Sequence, residues 1–477
     1  MARLEAIKVL AIIGLVAGAG AATAVVNTSV VINTHLVLVA CIGLVATAPI
    51  LMRIKQGRFD IFEPLVLTSG ALLLFFVARP VYDIIVEDYH FLGRNLRDTY
   101  GTALLAALVA AVAFQVAYHT PLPAKLARRM PKAPEALHHD TLIAAALALT
   151  VVAAMFMLWA AAQRGGIATL AGDRSADTAR VAPMVAQGFM LSIPAILLFL
   201  MVKTRYYVLF RTLALWPIGI MLIMAVPGGN RRFFLALVLS LVVFYFVRKA
   251  KRPSLFVASI ACVVLLVMLV APARASRNGE VSYQSALTTS LSQPLEAVGS
   301  VLESQDTSMI DQLALEIAVL GDGVPFRRGL QFVTDTVLLP IPGEVWAGKP
   351  EKVRTLIIDH YYGTNTGDCI TQCPTFGLVG DLYADFGLAS VALGSALLGI
   401  LFAAAYHYFR LYSGNPIVQA GYSAGLWVSF YVWWSGFAFV TMFAILLVGP
   451  IVITAMLAGR QKTEPVSGRL QPGATAA

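Results

Sequence analysis

Apolar stretches close to bilayer length recur from one end of this chain to the other, and no other feature restricts its fold so tightly. A helix crossing the hydrocarbon core needs about 20 mostly apolar residues. Twelve stretches qualify: Val9–Thr28, Leu36–Met52, Pro64–Val81, Ala103–His119, Thr141–Ala162, Pro183–Val202, Tyr206–Val226, Phe233–Val247, Leu255–Ala271, Leu388–Tyr408, Ile417–Trp434 and Phe437–Leu457. What remains cannot cover a water-facing surface. Charged residues make up 13% of the chain and apolar ones 58%, whereas soluble domains carry roughly a quarter charged residues. The expected fold class is an all-α polytopic membrane protein with a large extracytoplasmic loop subdomain between spans nine and ten. Glycine and proline are frequent, which neighbouring spans tolerate by re-satisfying freed backbone groups. The basic pI near 9.4 does not point to nucleic acid, because the basic residues are scattered over short inter-span loops.

Charge decides the orientation, since Lys and Arg accumulate on the cytoplasmic side. With both termini in the cytoplasm, the inner segments hold 20 basic residues against six acidic ones. They include Arg53, Lys125, Arg128, Arg129, Lys132, Arg248, Lys249, Lys251, Arg252 and Arg410. The outer side receives the other 15 basic and 20 acidic residues. The organisation that follows is nine spans over 1–271, an outer lid-like subdomain over 272–387, three spans over 388–458 and a disordered cytoplasmic tail over 459–477. No small-residue cleavage signal follows the first stretch, so it reads as a retained span. Ser435-Gly436 is all that separates the last two spans, and a tight outer hairpin is expected there.

Loops as long as 272–387 are uncommon without a purpose. From Ser282 to Leu320 the pattern is helical, with Leu287, Leu291, Leu295, Val298 and Leu302 on one stripe and a break at Pro294. A second helical piece, Met309–Leu320, ends at Gly321-Asp322-Gly323. The apolar run Leu330–Leu339, the segment IPGEVWAGKP (Ile341–Pro350), IIDHYYGTNTGD (Ile357–Asp368) and PTFGLVGDLYADFG (Pro374–Gly387) follow. Within CITQC, Cys369 and Cys373 lie outside the membrane, where they form a disulfide, remain free thiols or bind metal; without nearby His partners the metal signal is weak.

Arginine stands out where the membrane makes charge costly. Gly228-Gly229-Asn230-Arg231-Arg232 joins two spans with almost no loop between them. Guanidinium groups match phosphate oxygens bidentately, and a span beginning there would offer its helix N-terminus to the same anion. The plainer reading of Arg231 and Arg232 is interfacial anchoring, but the pair runs against the inside bias. Other outer arginines are Arg164, Arg174, Arg180, Arg274, Arg277, Arg327 and Arg328, each of them a ligand or a solvated surface charge. His360 is suited to shuttling a proton near neutral pH or to a structural hydrogen bond. Asp381 and Asp385 could bind sugar hydroxyls, act as base or, for Asp385, cap the tenth span. No P-loop, HExxH or paired-carboxylate metal motif is present, so no cofactor and no metal is expected. A reaction on the outer face without ATP must draw on energy stored in its substrate, such as a lipid-linked pyrophosphate sugar.

Three stretches resemble the Wzy-type polysaccharide polymerases, the O-antigen or oligosaccharide repeat unit polymerase family, which shares a glycosyltransferase C-type bundle with O-antigen ligases. GGNRRFFLALVLS (Gly228–Ser240) is similar to the family's Gly/Arg entry into a span. IPGEVWAGKP is similar to a lid motif reading Ile-Pro-Arg, two residues, Trp-Pro, one residue, Lys-Pro. PTFGLVGDLYADFGLASVALG is similar to a Gly-Glu, one residue, Tyr, two residues, Phe-Gly stretch at the loop exit. Gly343 replaces the lid Arg, Ala347 the Pro and Asp381 the Glu; Arg327, Arg328 or Lys349 would have to stand in for the missing guanidinium.

The resemblance implies metal-independent glycosyl transfer on the outer face of the bacterial cytoplasmic membrane. The donor and acceptor would be glycans on polyprenyl pyrophosphate, with a chain-length regulator and a flippase as further partners. Arg231 and Arg232, helped by Arg277 or Arg164, would neutralise the leaving pyrophosphate. His360 or Asp381 would take the acceptor's proton. Tyr361, Tyr362, Trp346 and Tyr383 would stack on sugar rings while the lid excludes water. Two rivals remain: an O-antigen ligase-like enzyme with another acceptor, and a secondary transporter. Transporters show matching halves and charged or broken mid-membrane helices, and the halves here do not match.

Overall fold

In the computed structural model the described residues are 31–163, 187–202, 208, 209, 212, 213, 215, 216, 231–276, 281–304, 306–341, 346, 348–362 and 375–460. The first span and nearly all of the seventh lie outside them, as do Arg164, Arg174, Arg180, Arg277, Cys369, Cys373 and the C-terminal tail.

Among the described residues six helices are long and apolar enough to cross a membrane, and the chain is a membrane protein by that measure. Helix α1 covers Val31–Lys55, α2 Pro64–Val86 with a π-helical turn at Leu74–Ala78, α3 Arg97–His119, α4 Leu122–Arg129, α5 His139–Gln163, α6 Ser192–Met201, α7 Arg231–Arg248 and α8 Leu255–Leu265. The long connection folds into α9 (Tyr283–Ser292), α10 (Pro294–Leu302), α11 (Met309–Val319), α12 (Leu330–Thr336), α13 (Val353–Tyr362) and α14 (Gly377–Phe386). The bundle closes with α15 (Leu388–Leu411), α16 (Pro416–Gly425), α17 (Val428–Phe443) and α18 (Gly449–Ala458).

The helix breaks at Pro294 and Gly321 fall where the sequence puts them, because proline opens α10 without needing an N–H and Gly321 adopts φ 91°. Among the described side chains of α9 and α10, Ala286, Ser290, Ala297 and Val301 are buried and Leu291 is 53% exposed, while Leu295 and Val298 of the leucine stripe lie outside the described side chains. Both helices lie close against 266–275, and the small side chains take the close-approach face, leaving Leu291 outside.

Helix α3 is the hub, packed against α15, α1 and α11. Ala103, Ala106, Ala107, Ala110 and Ala111 are completely buried on it, and small residues of this kind let apolar helices approach closely. The tightest point is Gly399 of α15, where any Cβ would collide with the Phe114 carbonyl. A second apolar cluster joins α5, α6, α7 and the C-terminal helices through Leu142, Ile193, Leu197, Leu237, Trp427 and Phe443.

The apolar stretch Val428–Ala458 turns back on itself at Gly436, whose φ 71°, ψ −169° only glycine adopts readily. Gly425 faces Val448, Gly421 faces Ile451, and the rings of Tyr431 and Phe443 pack at 5.1 Å. Pairs on both sides of one glycine at matched spacing describe an antiparallel hairpin, as expected for Ser435-Gly436.

Two polar groupings mark opposite ends of the bundle. At one end Asp60 accepts from Arg252 Nε at 2.7 Å and from the Tyr406 hydroxyl at 3.1 Å. Beside it Glu63 pairs with Arg53 at 2.8 Å and accepts from the Tyr118 hydroxyl at 2.8 Å. Burial pushes the Glu63 carboxyl up to about 7, against the pull of Arg53 and Tyr118. At the other end of α2 and α3, Asp83 and Tyr100 meet the lid helices.

Replacing Gly399 by Val should destabilise the α3–α15 crossing by about 1–3 kcal/mol. A lowered melting temperature in detergent is the expected reading; an unchanged one would mean that the two helices separate at no cost.

Candidate functional site

The lid is built around two carboxylates of α14. Asp385 accepts from the backbone N–H of Gly329 at 2.9 Å and from those of Gln331 and Phe332 at 3.0 Å each. It therefore caps α12 across more than fifty residues of chain, and not the span that follows it. The exchange is reciprocal: Arg327 N and Arg328 N donate to the carbonyls of Ala384 and Asp385 at 2.8 and 3.0 Å. Those carbonyls belong to the end of α14, where the helix leaves them without internal partners. Arg328 and Gly329 reach this geometry with φ 54° and 89°. Burial pushes Asp385 up, and the three N–H donors and Arg327 pull it back.

Asp381, one turn earlier, is 9% exposed and faces the hairpin at the end of the bundle. Its Oδ2 accepts from Phe437 N at 3.2 Å and leaves no room for a Cβ at Gly436. Burial, then the nearby Asp335 and Glu316 carboxylates, pushes Asp381 well above the usual range, with Lys352 and the Phe437 N–H opposing. Glu316 of α11 is completely buried against Gly380, and burial likewise drives its carboxyl up. Asp335 is held by Lys352 Nζ at 3.0 Å and by Gln331 Nε2 at 2.6 Å, while Gln331 Oε1 accepts from Val353 N at 2.9 Å. The result is a cluster of three carboxyls, Glu316, Asp335 and Asp381, where lid and bundle meet.

The sequence-predicted residues fall around this point without all converging on it. Lys349 Nζ donates to the Ile341 carbonyl at 2.8 Å, and burial and the neighbouring Lys352 lower its pKa. Trp346 is 40% exposed. Arg327 donates to the Glu351 carbonyl at 2.6 Å. The ring of Tyr383 packs against Phe326 at 6.2 Å. His360 is exposed and lies directly over Gly323, where a Cβ would strike its ring; among the described contacts none joins it to Asp381. Tyr361 and Tyr362 end α13, and Arg231 and Arg232 are the first two residues of α7; these four side chains, like that of Arg274, fall outside the described ones. The far end of α7 packs beside Phe62, Tyr406 and Tyr422 at the Asp60 end of the bundle. Arg231 and Arg232 therefore open a helix at the lid end.

Sequence reasoning passes over a buried ion-pair network between span and lid. Arg79 lies inside α2, one turn before Asp83, and pairs with it at 3.0 Å and with Asp311 of α11 at 3.1 Å. It also donates to the Leu302 carbonyl at 2.8 Å, and the Tyr100 hydroxyl donates to Asp83 at 2.7 Å. Burial and the neighbouring Asp83 push Asp311 up, with Arg79 opposing. The signal was an Arg and an Asp four apart at the end of an apolar stretch; ending that span at Val81 hides it. Next to Asp311, Gln312 Oε1 accepts from Thr375 N at 2.5 Å and from Phe376 N at 3.4 Å. Comparison with protein-family models, with curated proteins and with solved structures returned no match.

Asp385→Ala removes the acceptor of three amides and should cost about 2 kcal/mol. Hydrogen exchange is expected to speed up at Gly329, Gln331 and Phe332 ahead of the rest of the lid. Unchanged protection at those amides would show that the cap carries no stability.

Proposed function

We propose that this protein polymerises oligosaccharide repeat units carried on polyprenyl pyrophosphate, by metal-independent glycosyl transfer at the lid end of the bundle. The observation that carries the reading is the start of α7: an apolar helix that begins with Arg231-Arg232 at the end opposite Asp60. A helix N-terminus with two guanidinium residues in its first turn suits a diphosphate, which needs positive potential and N–H donors together. The resemblance of three sequence stretches to the Wzy-type family points the same way.

In this reaction the acceptor's hydroxyl oxygen bonds to the anomeric carbon of the donor sugar. The bond from that carbon to the pyrophosphate oxygen breaks, and polyprenyl pyrophosphate leaves with the electron pair. Arg231 and Arg232 neutralise the charge that develops on it. The proton of the acceptor goes to a base, and Asp381 suits that task better than His360. Its carboxyl accepts from Phe437 N, and burial and neighbouring acids raise its proton affinity, which favours it as a proton acceptor, whereas His360 stands exposed on Gly323. Trp346 and Tyr383 supply aromatic faces for sugar rings.

Purified protein incubated with lipid-linked repeat units should give a product ladder on a gel. Arg231→Ala or Arg232→Ala should cut turnover by about 100- to 1000-fold with expression and folding intact; wild-type ladders from both would remove the diphosphate role. Asp381→Asn should slow turnover by at least about 100-fold without weakening donor binding. If His360→Ala produces that loss and Asp381→Asn does not, the base is the histidine.

A further inference from the structure

At the end of the bundle away from the lid, acids and bases are unevenly spent. Asp60 is committed to Arg252, and Glu63 to Arg53. Arg53 at the end of α1, Arg128 on α4 and Arg410 at the end of α15 lie near enough to His407 for their charges to act on its ring. Arg410 is steadied by the Tyr406 ring, 5.9 Å away, and Arg53 by Glu63. Lys125, Arg128, Arg129 and Lys132 are exposed, and among the described residues no ion pair engages them.

Helix α4 presents these charges in a fixed frame. Pro123 and Ala127 are buried toward the bundle, and α4 packs along α15. The chain beyond it is pinned by the Tyr408 hydroxyl on the Pro131 carbonyl at 2.9 Å and by Asn415 on the Pro134 carbonyl at 2.7 Å. At its two ends stand Leu122 and Met130, 45% and 39% exposed. Cations flanked by outward apolar side chains are the composition of a helix lying in the bilayer interface. A free anion would answer the charges and leave Leu122 and Met130 in water. A phospholipid answers both, with its phosphate at the guanidinium groups and its acyl chains against the apolar pair.

We infer that α4 and the ends of α1 and α15 form a binding site for an anionic phospholipid headgroup, centred on Arg128 and Arg410 beside His407. The site lies on the side that the charge distribution predicts to be cytoplasmic, where anionic lipid attracts juxtamembrane cations. It is independent of the chemistry proposed at the lid.

The test is to titrate the purified full chain in detergent with short-chain phosphatidylglycerol, short-chain phosphatidylcholine and inorganic phosphate, counting bound lipids by native mass spectrometry. Phosphatidylglycerol should be retained in preference to phosphatidylcholine, and added salt should release it. Replacing both arginines, Arg128→Gln with Arg410→Gln, should weaken retention by about tenfold or more, and Arg128→Lys with Arg410→Lys should restore most of it. Equal retention of the two lipids overturns the site, as does full binding by the glutamine variant. Displacement by inorganic phosphate at matched concentration also overturns it, because an anion pocket without lipid contact would remain. Salt-insensitive retention by the wild type would sink the proposal even if the glutamine variant failed to fold.

Discussion

A guanidinium inside an apolar bundle has to be neutralised and hydrogen-bonded from within, since no water is there to do it. Arg79 sets that requirement. Its own helix supplies only Asp83; the remaining partners, Asp311 and the Leu302 carbonyl, come from the lid. Lifting α11 away would strand a buried charge, a change worth about 3–5 kcal/mol when one partner of such a pair is removed. The lid is thereby held in one register on α2 and α3. One residue further along, Gln312 grips the backbone at Thr375 and Phe376, where the chain enters α14. The two carboxylates of α14 thus owe their position to an arginine in a span.

From α14 the constraint passes in two directions. Asp385 ties α14 to the start of α12, while Arg327 and Arg328 return the favour at the end of α14. Each helix end completes the hydrogen bonding of the other, so neither can shift alone. Asp381 reaches the other way and accepts from the turn of the terminal hairpin. Gly377 supports the same junction: its φ of 64° places its backbone so close to the Trp433 carbonyl that an added Cβ would lie at 2.6 Å. The lid is therefore joined to the bundle by backbone geometry as well as by charge.

Much of this was legible in the sequence, and the division has a physical basis. Spans such as Leu36–Met52 and Leu388–Tyr408 announce themselves because hydropathy is a local property summed over a window. The Gly436 reversal and the break at Pro294 were also legible, since backbone freedom and a missing N–H act at a single residue. Contacts across the chain were not. Nothing near Asp385 in sequence shows that the amides it caps lie more than fifty residues earlier. On the α9–α10 stripe Leu291 stands exposed, while Ala286 and Ala297 beside it are buried. In a membrane protein the outward face is apolar too, and small residues identify close contact. Of the residues proposed for the site, Asp381 and Tyr383 were carried by a motif, while Glu316 and Asp335 had no local signature.

The two ends of the bundle treat acids in opposite ways, and that difference bears on what each can bind. At the lid end Glu316, Asp335 and Asp381 crowd together with Lys352 as their cation, and burial raises Glu316 and Asp381. At the other end Asp60 and Glu63 are each matched to an arginine, and the surplus is cationic and turned outward. One end of this single set of helices thus gathers carboxyls, and the other exposes cations. Because α2, α3, α7 and α15 each run from one end to the other, a tilt of any of them that improved one site would disturb the other. The small-residue crossing at Gly399 allows α3 and α15 only one close register, and that register serves both ends at once.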